Sequence, residues 1–319
     1  MKPLDVWILR ARWPRIVVLL SLAFASAAGA VGVRIPGTGV TLEPPAGFKP
    51  SARFPGFEIP ERAASLMVTE IPGPLAEIQK GMTAERLAAG GMTLLESSPI
   101  SLGGSEGLLL RVSQKAAGLQ FFKWMAIAGG PQKTYVLVGT WAEGDDELGA
   151  ILKRSIASAT WGTAAPANPY EGLVFRAEPT AKLKLAGRVN NLLLFSETGG
   201  LGPFGPEDAF LVVGNSLSSV SLDDLEAFAR ARAEKTEQID NLREAKLEPA
   251  SVDGLRGIEL VAQADDKKTG KPVVLYQLVL REGSSYYLVQ GLVGKDRAAQ
   301  ALPEFRSVAR SFRRVSSGR

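Results

Sequence analysis

Residues 103–111 read GGSEGLLLR, and residues 253–260 read DGLRGIEL. Each stretch places two glycines three positions apart and follows them with an apolar run, which predicts a tight turn leading into a strand. The paired glycines of the two stretches are offset by 150 residues. A repeat of that length has the size of a domain, so it predicts two copies of one domain plan rather than a solenoid of short units.

The match continues downstream at an offset of 152 residues, after a hairpin that is two residues longer in the second copy. Turn glycines and strand aromatics recur in the same order, and both copies close on an Arg-Ser-aliphatic-Ala segment. The matched pairs are Gly118 with Gly270, Trp124 with Tyr276, Tyr135 with Tyr287, Gly139 with Gly291, and residues 154–157 with 306–309.

Each copy is predicted to form a three-stranded meander followed by a helix. Strands further upstream open each copy, and a helical segment lies between these strands and the meander. The predicted meander strands are 108–114, 120–128 and 134–141, then 257–264, 273–281 and 285–292. The predicted helices are 74–90, 145–159, 222–244 and 297–312.

This order of elements indicates an α+β fold with a mainly antiparallel sheet in each copy. Residues 40–48, VTLEPPAGF, form an opening strand and a Pro-Gly turn, which precede the glycine-paired turn, the meander and a closing helix that ends near Trp161 or Phe312. In these features residues 39–161 and 170–314 resemble the PsbP/DcrB-like family, whose fold is shared with a Ran-binding nuclear import factor. The second copy departs at 173–179, where the Pro-Ala-Gly-Phe turn is absent.

The resemblance implies an α/β/α sandwich in each copy. It also implies an exported or peripheral protein that binds and helps to assemble other proteins, and it supplies no catalytic residue. The expected organisation is a signal peptide over 1–30, a first domain over 31–162, a linker over 163–169, a second domain over 170–314 and a basic tail over 315–319.

The first 30 residues have the pattern of a secretory signal peptide. A basic segment is followed by the apolar run 16–24 and by small residues that end in Ala28-Gly-Ala30, so we expect cleavage after Ala30 and a periplasmic or extracellular protein. The uncharged stretch 16–33 just reaches the length of a membrane span, so an uncleaved anchor is the alternative.

The charge balance does not indicate a nucleic-acid partner. The full chain carries a net charge of +4, but residues 31–319 hold 33 basic and 32 acidic residues, so the excess of cations belongs mostly to the export segment. A local exception is the arginine-rich end. Arg310, Arg313 and Arg314 are candidates for peripheral contact with anionic lipid or an acidic partner.

The chain has no Cys and no His. Disulfides, cysteine nucleophiles, Ser-His-Asp triads and zinc or iron sites built on these side chains are therefore excluded. The segments 200–205 and 103–107 match a dinucleotide-loop and a nucleophile-elbow pattern, but strands follow both. We expect no catalytic residue, no metal site and no cofactor.

Aromatic residues of the meanders are the candidate binding residues. One interpretation places them in the cores under the closing helices, and the other makes them amphipathic anchors of a ligand or peptide groove. The candidates are Trp124, Tyr135, Trp141, Tyr276 and Tyr287.

The sequence therefore predicts an exported, non-enzymatic protein that binds a macromolecular partner or an apolar ligand in the cell envelope. A carboxylate-based hydrolase is one alternative, and it requires two acids from different strands to converge in a pocket. A structural envelope component is the other alternative. The sequence does not identify the partner or the oligomeric state.

Overall fold

The computed structural model describes residues 31–116, 118–162, 168–202, 204–217 and 219–315. The first half is residues 31–162 and the second half is residues 168–315. The predicted signal peptide, most of the predicted linker and residues 316–319 lie outside the described residues.

The elements of the first half alternate between strands and short helices. The strands are β1 (Val33–Arg34), β2 (Val40–Leu42), β3 (Lys49–Pro50), β4 (Gly56–Ile59), β5 (Ala64–Pro72), β6 (Met92–Leu102), β7 (Ser105–Ala116), β8 (Leu119–Gly129), β9 (Lys133–Ala142) and β10 (Thr160–Trp161). The helices are α1 (Leu75–Gln79), α2 (Ala84–Ala89) and α3 (Asp146–Ala157), with a 3₁₀ turn at Pro60–Arg62.

The second half follows the same plan with one helix before its meander. The strands are β11 (Phe175–Arg176), β12 (Lys184–Val189), β13 (Leu192–Ser196), β14 (Phe210–Asn215), β15 (Ile239–Val252), β16 (Leu255–Asp266), β17 (Pro272–Glu282), β18 (Ser285–Gly294) and β19 (Arg313–Arg314). The helices are α4 (Leu225–Glu234) and α5 (Ala298–Ser311), with a 3₁₀ turn at Lys295–Arg297.

Each half contains one seven-stranded antiparallel sheet, and the two sheets have the same strand order. The first sheet runs β3-β4-β5-β9-β8-β7-β6, and the second sheet runs β12-β13-β14-β18-β17-β16-β15. In both halves, an opening strand also pairs with the residues that follow the closing helix, β2 with β10 and β11 with β19. The repeat in the sequence therefore corresponds to a repeat in strand topology.

The predicted α/β/α sandwich is wrong, because the described residues are mostly antiparallel sheet, with 48% of them in strands and 19% in helices. A helix rises 1.5 Å per residue, so the 12 residues of α3 extend only about 18 Å. Seven strands spaced about 4.8 Å apart make a sheet about 29 Å wide between its outer strands. The helices therefore contact parts of each sheet and do not form continuous outer layers.

The predicted helix over 222–244 is also wrong in its second part. Helix α4 ends at Glu234, and the chain enters the edge strand β15 at Ile239. Asn241 and Glu244 adopt positive φ, and the pairing of β15 with β16 shifts register around them. These irregularities break the alternation typical of a strand, so the segment looked like a continuing helix.

The closing helix packs on the sheet at an equivalent place in both halves. Gly139 of β9 lies against Leu152 of α3, and Gly291 of β18 lies against Phe305 of α5. Leu152 and Phe305 are fully buried. The glycines matched in the sequence thus let the closing helix approach the sheet closely.

Among the described residues, no helix has the length and apolar character needed to cross a lipid bilayer. The same residues contain no cluster of three or more acidic side chains arranged to hold a metal ion.

The two halves are joined by an ion pair whose contribution depends on pH. Arg34 pairs with Glu171, whose second carboxylate oxygen accepts the backbone N–H of Gly37 at 3.2 Å. The hydrogen bond from Arg34 is the largest cause that lowers the pKa of Glu171 below its ordinary value of 4.5. This group therefore stabilises the fold at pH values above 4.5, and the stabilisation is lost as the pH falls through its lower folded-state pKa.

We expect Glu171→Gln to lose up to about 1 kcal/mol of unfolding free energy at neutral pH, because the pair is partly exposed. The loss should shrink as the pH falls below 4.5. Urea denaturation between pH 3 and pH 7 measures this dependence. A loss that stays constant over this range would contradict the assigned ion pair.

Candidate functional site

The aromatic candidates of the first half lie in its core. Trp141 is 2% exposed and Tyr135 is 6% exposed, while Trp124 is half-buried. Trp124 stacks on Trp141 with a centroid distance of 6.1 Å and donates its indole N–H to the carbonyl of Gly149 at 3.1 Å. Tyr135 stacks on Trp161 at 4.3 Å. These contacts place the three side chains under and beside the closing helix.

The two tyrosine candidates of the second half are also buried, Tyr276 at 0% and Tyr287 at 5% exposure. Tyr276 donates its hydroxyl to Glu259 at 3.2 Å, and Tyr287 donates to Glu282 at 2.8 Å. Burial is the largest cause that raises the pKa of both phenols, so they stay neutral. The binding role of the five aromatic residues remains a prediction, and the groove described next does not include them.

A different part of the second half leaves apolar side chains accessible. Strands β13, β14 and β18 carry them on the face opposite α5, and we call this surface the open groove. It consists of the exposed Leu192, the half-buried Leu194, Phe210, Val212, Leu288 and Gln290, and the buried Leu292 at its floor. Two adjoining cavities of about 330 and 500 Å³ lie over it and share Phe210, Val212, Gln238 and Leu292.

The alternation of β14 explains why these side chains are accessible. Leu211 and Val213 are fully buried on the α5 side, whereas Phe210 and Val212 point to the other face and are only half-buried. Helix α4 packs against β15, β16 and β17, so it borders the groove rather than covering it. Phe204 stacks on Phe210 at 5.0 Å and forms the opposite wall.

One matched pair of the first sheet is polar. Phe210 lies opposite Leu292 in the β14–β18 pairing. Ser65 lies opposite Thr140 at the corresponding place in the β5–β9 pairing. The two sheets share one strand order, yet the second sheet carries an apolar pair where the first carries two hydroxyl side chains. At this pair, the apolar character is therefore specific to the second half.

The neighbouring positions differ less, because Met67 of the first sheet matches Val212 and Val138 matches Gln290. Leu194 lies opposite Val212, whereas the first sheet has Gly56 opposite Met67. Met67 is contacted by the second half, because Asn190 donates its side-chain N–H to the Met67 sulfur at 2.8 Å. Within the described residues, the corresponding face of the second half has no such cover.

Polar groups border the apolar floor. Gln290 donates its amide N–H groups to Thr236 at 3.0 Å and to Gln277 at 3.1 Å. Its carbonyl oxygen accepts no hydrogen bond from the described part of the chain, so it is available to a ligand. The cations Arg232 and Lys235 lie at one end and Lys268 lies at the other, and none of them forms an ion pair with a described residue.

Two carboxylates from different elements, Asp208 and Asp266, also line the larger cavity. Each carboxylate accepts a hydrogen bond from a backbone N–H of the turn in which it lies. Asp208 accepts the backbone N–H of Gly205 at 2.7 Å, and Asp266 accepts the backbone N–H of Thr269 at 2.8 Å. This arrangement provides turn stabilisation and supplies no specific support for the hydrolase alternative.

Sequence reasoning missed the open groove because residues 192–195 and 210–213 read LLLF and FLVV. Runs that are apolar at every position are typical of strands buried on both faces. The contrast between Ser65 and Phe210 was the available signal. The recognisable repeat begins at residues 103 and 253, downstream of both residues, so the sequence does not relate Ser65 to Phe210.

The arginines proposed for membrane contact have different environments. Arg314 pairs with Asp253 and with Glu282, both at 2.9 Å. Arg313 donates to the backbone carbonyl of Arg310 at 2.8 Å. The pairing of Arg314 indicates a structural use, and membrane contact through these three residues remains a prediction.

No family model and no curated protein match the chain. Solved structures with some likeness include LpqN of Mycobacterium tuberculosis, described as involved in cell envelope biogenesis, at 9% identity. That match has a TM-score of 0.33 over 44% of this chain and 82% of LpqN.

A second similar structure is the immunity protein TplEi of Pseudomonas aeruginosa, at 16% identity and a TM-score of 0.31 over 85% of this chain and 97% of TplEi. A third is PA94 of Pseudomonas aeruginosa, a protein of unknown function, at 15% identity and a TM-score of 0.29 over 38% of this chain and 80% of PA94. These similar structures are compatible with a fold of two β-rich halves. They are too weak to carry an argument about function, and membership of the PsbP/DcrB-like family is not shown.

Proposed function

We propose that this chain is a non-enzymatic binding protein whose open groove takes an extended apolar segment of a protein partner in the cell envelope. The observation that carries the proposal is the Phe210–Leu292 pair, which replaces the polar Ser65–Thr140 pair of the first sheet. Burying apolar side chains against this face would stabilise a complex by about 25 cal/mol for each Å² removed from water.

Two of the sheet edges are poorer docking sites than the groove. The long edge strands β6 and β15 each carry a proline at the same position of the repeat, Pro99 opposite Leu108 and Pro249 opposite Ile258. Proline has no N–H to donate and typically protects an edge from pairing with another strand. At the β6 and β15 edges, a partner segment is therefore not expected to extend the sheet.

The openness of the groove favours a protein segment over a free apolar molecule. Leu192 is 36% exposed, and most of the groove residues are only half-buried. A small apolar molecule without a charged group depends on burial for its affinity, and small-molecule sites typically bury 70–90% or more of the ligand surface. An extended segment can cross an open surface and place side chains on Phe210 while the rest of it stays in water.

The polar border suggests the chemistry of the segment. The carbonyl oxygen of Gln290 would accept a backbone N–H of the partner. The unpaired cations Arg232, Lys235 and Lys268 would attract acidic residues at the ends of the apolar segment. The envelope location rests on the predicted signal peptide, and no specific observation favours the structural-component alternative.

Selection of a random peptide library on the full-length protein tests the proposal. We expect the enriched peptides to contain apolar residues flanked by acidic residues. Phe210→Ser should weaken their binding about thirtyfold, because a central aromatic anchor typically contributes about 2 kcal/mol. Titration calorimetry measures the change.

Leu119→Ser is the matched control, because Leu119 is 54% exposed in the first half and lies outside the groove. Ser65 occupies the matched strand position of the first sheet, so serine is compatible with this backbone. Equal peptide affinity in the wild type and a folded Phe210→Ser protein would refute the groove as the binding site.

A further inference from the structure

A second site lies where the two halves meet, in a cavity of about 450 Å³ that shares no lining residue with the open groove. We call it the junction cleft. Glu70 and Lys133 line it from the first half, and Arg188 and Asn190 line it from the second. Clefts between domains are common locations for ligand sites.

Arg188 is held in a fixed position by backbone carbonyls. Its Nε donates to the carbonyl of Asn190, and its Nη1 donates to the carbonyls of Glu171 and, at 3.4 Å, Pro169. The guanidinium also occupies the space beside Gly37, where any Cβ would overlap Nη1. These contacts fix the orientation of the group before a ligand arrives.

The charge of Arg188 has no carboxylate in direct contact within the described residues. The carboxylate of Glu171 is bound by Arg34 and by the N–H of Gly37, so only the Glu171 carbonyl meets Arg188. Burial is the largest influence on this guanidinium and lowers the pKa of Arg188 to about 10. Arg188 is half-buried, and the nearby Glu171 carboxylate is already paired with Arg34, so a bound anion would offset the remaining cost of desolvating the guanidinium.

Other polar atoms of the cleft can form further hydrogen bonds. The Nη2 of Arg188 makes no hydrogen bond within the described part of the chain. Lys133 uses one N–H on Glu70, at 2.5 Å, and retains two others. The side-chain oxygen of Asn190 is buried without a partner among the described residues, but it is an acceptor and would not bond a carboxylate. Leu185 and Leu201 form an apolar part of the cleft wall beside these polar groups.

We propose that the junction cleft binds a small organic carboxylate with an apolar body. Its carboxylate would accept hydrogen bonds from Nη2 of Arg188 and from Lys133, and its body would lie against Leu185 and Leu201. A guanidinium presents paired N–H groups that match the planar geometry of a carboxylate.

The charge count favours a monoanion over a phosphate. Glu70 pairs with Lys133 and Glu171 pairs with Arg34, so these four groups and Arg188 together carry a net charge of +1. A dianion would bring a second negative charge close to the Glu70 carboxylate, and this repulsion opposes binding. The carboxylate could come from a free organic acid or from the C-terminus of a peptide, because both present the same group.

Titration calorimetry on the full-length protein with hexanoate, hexanamide and inorganic phosphate tests the proposal. We expect hexanoate to bind about tenfold or more tightly than hexanamide, and phosphate to bind more weakly than hexanoate. An acetylated dipeptide with a free C-terminal leucine distinguishes the two sources. Tighter binding than hexanoate indicates a peptide end, and weaker binding indicates a free acid.

Variants locate the site. Arg188→Lys should weaken hexanoate binding about tenfold or more, and Lys133→Gln should weaken it about threefold. Lys271→Gln is the matched control, because Lys271 pairs with Glu207 outside the cleft. Phe210→Ser should leave hexanoate affinity unchanged, which separates this site from the open groove.

Equal binding of hexanoate and hexanamide by the unaltered protein would overturn the proposal, and so would the absence of any hexanoate binding. This comparison needs no variant, so it decides the question even if Arg188→Lys does not fold. Unchanged hexanoate affinity in a folded Arg188→Lys protein would also overturn it.

Discussion

Gly107→Ala is expected to lower the free energy of unfolding by about 3 kcal/mol, and Gly257→Ala is expected to do the same. A Cβ at Gly107 would overlap the carbonyl oxygen of Ile127, and a Cβ at Gly257 would overlap that of Val279. Both oxygens belong to the backbone of a central strand. They cannot turn away as a flexible side chain could, so the paired strands must separate.

Gly104→Ala is the matched control in the same hairpin. Gly104 has a φ of +77°, but a Cβ there would meet nothing within 4 Å. We expect a loss of only about 1–2 kcal/mol, from the backbone conformation alone. Urea denaturation measures the free energy of unfolding of the three variants, provided that their m-values equal that of the wild type. If Gly104→Ala cost as much as Gly107→Ala, the clash with the neighbouring strand would not be the cause.

Phe305→Ala is expected to lower the free energy of unfolding by about 4 kcal/mol, because it removes a large side chain from a tightly packed core. Phe305 is fully buried in α5, its ring lies 5.9 Å from that of Tyr276, and it fills the space above Gly291. The cavity cannot close easily, since the strands beneath it are held by hydrogen bonds on both sides.

Two further substitutions show whether the loss comes from the cavity. Phe305→Leu retains most of the volume, so it should cost about 1–2 kcal/mol. Leu119→Ala removes an exposed side chain and should change stability by less than about 0.5 kcal/mol. A loss below 1 kcal/mol for Phe305→Ala would mean that α5 does not pack on the sheet as described.

Local patterns predicted the meander strands closely. The strands predicted at 108–114 and 257–264 lie within β7 and β16, because the turn glycines and the apolar runs are contiguous in the chain. The edge strands were not predicted. Strand β15 contains five charged residues and a proline among its 14 residues, and strand alternation is lost where such a strand bulges.

The interpretation of the aromatic candidates depended on information that the sequence lacks. Tyr276 and Phe305 are 29 positions apart in the chain, and their contact depends on how α5 packs onto β17. A strand pattern shows which side chains share a face, but it does not show which face a helix covers. Both interpretations of the aromatic residues were therefore open at the level of sequence.

The sequence by itself determined that this protein consists of two copies of one strand plan, because paired glycines and apolar runs act locally on the backbone. It also excluded the catalytic chemistries that need Cys or His. Only the tertiary structure decided which faces stay open. Phe210 and Leu292 meet across the β14–β18 pairing, and Arg188 reaches Gly37 across the two halves. Such sites arise from contacts between segments that are distant in the chain, and local residue patterns do not predict these contacts.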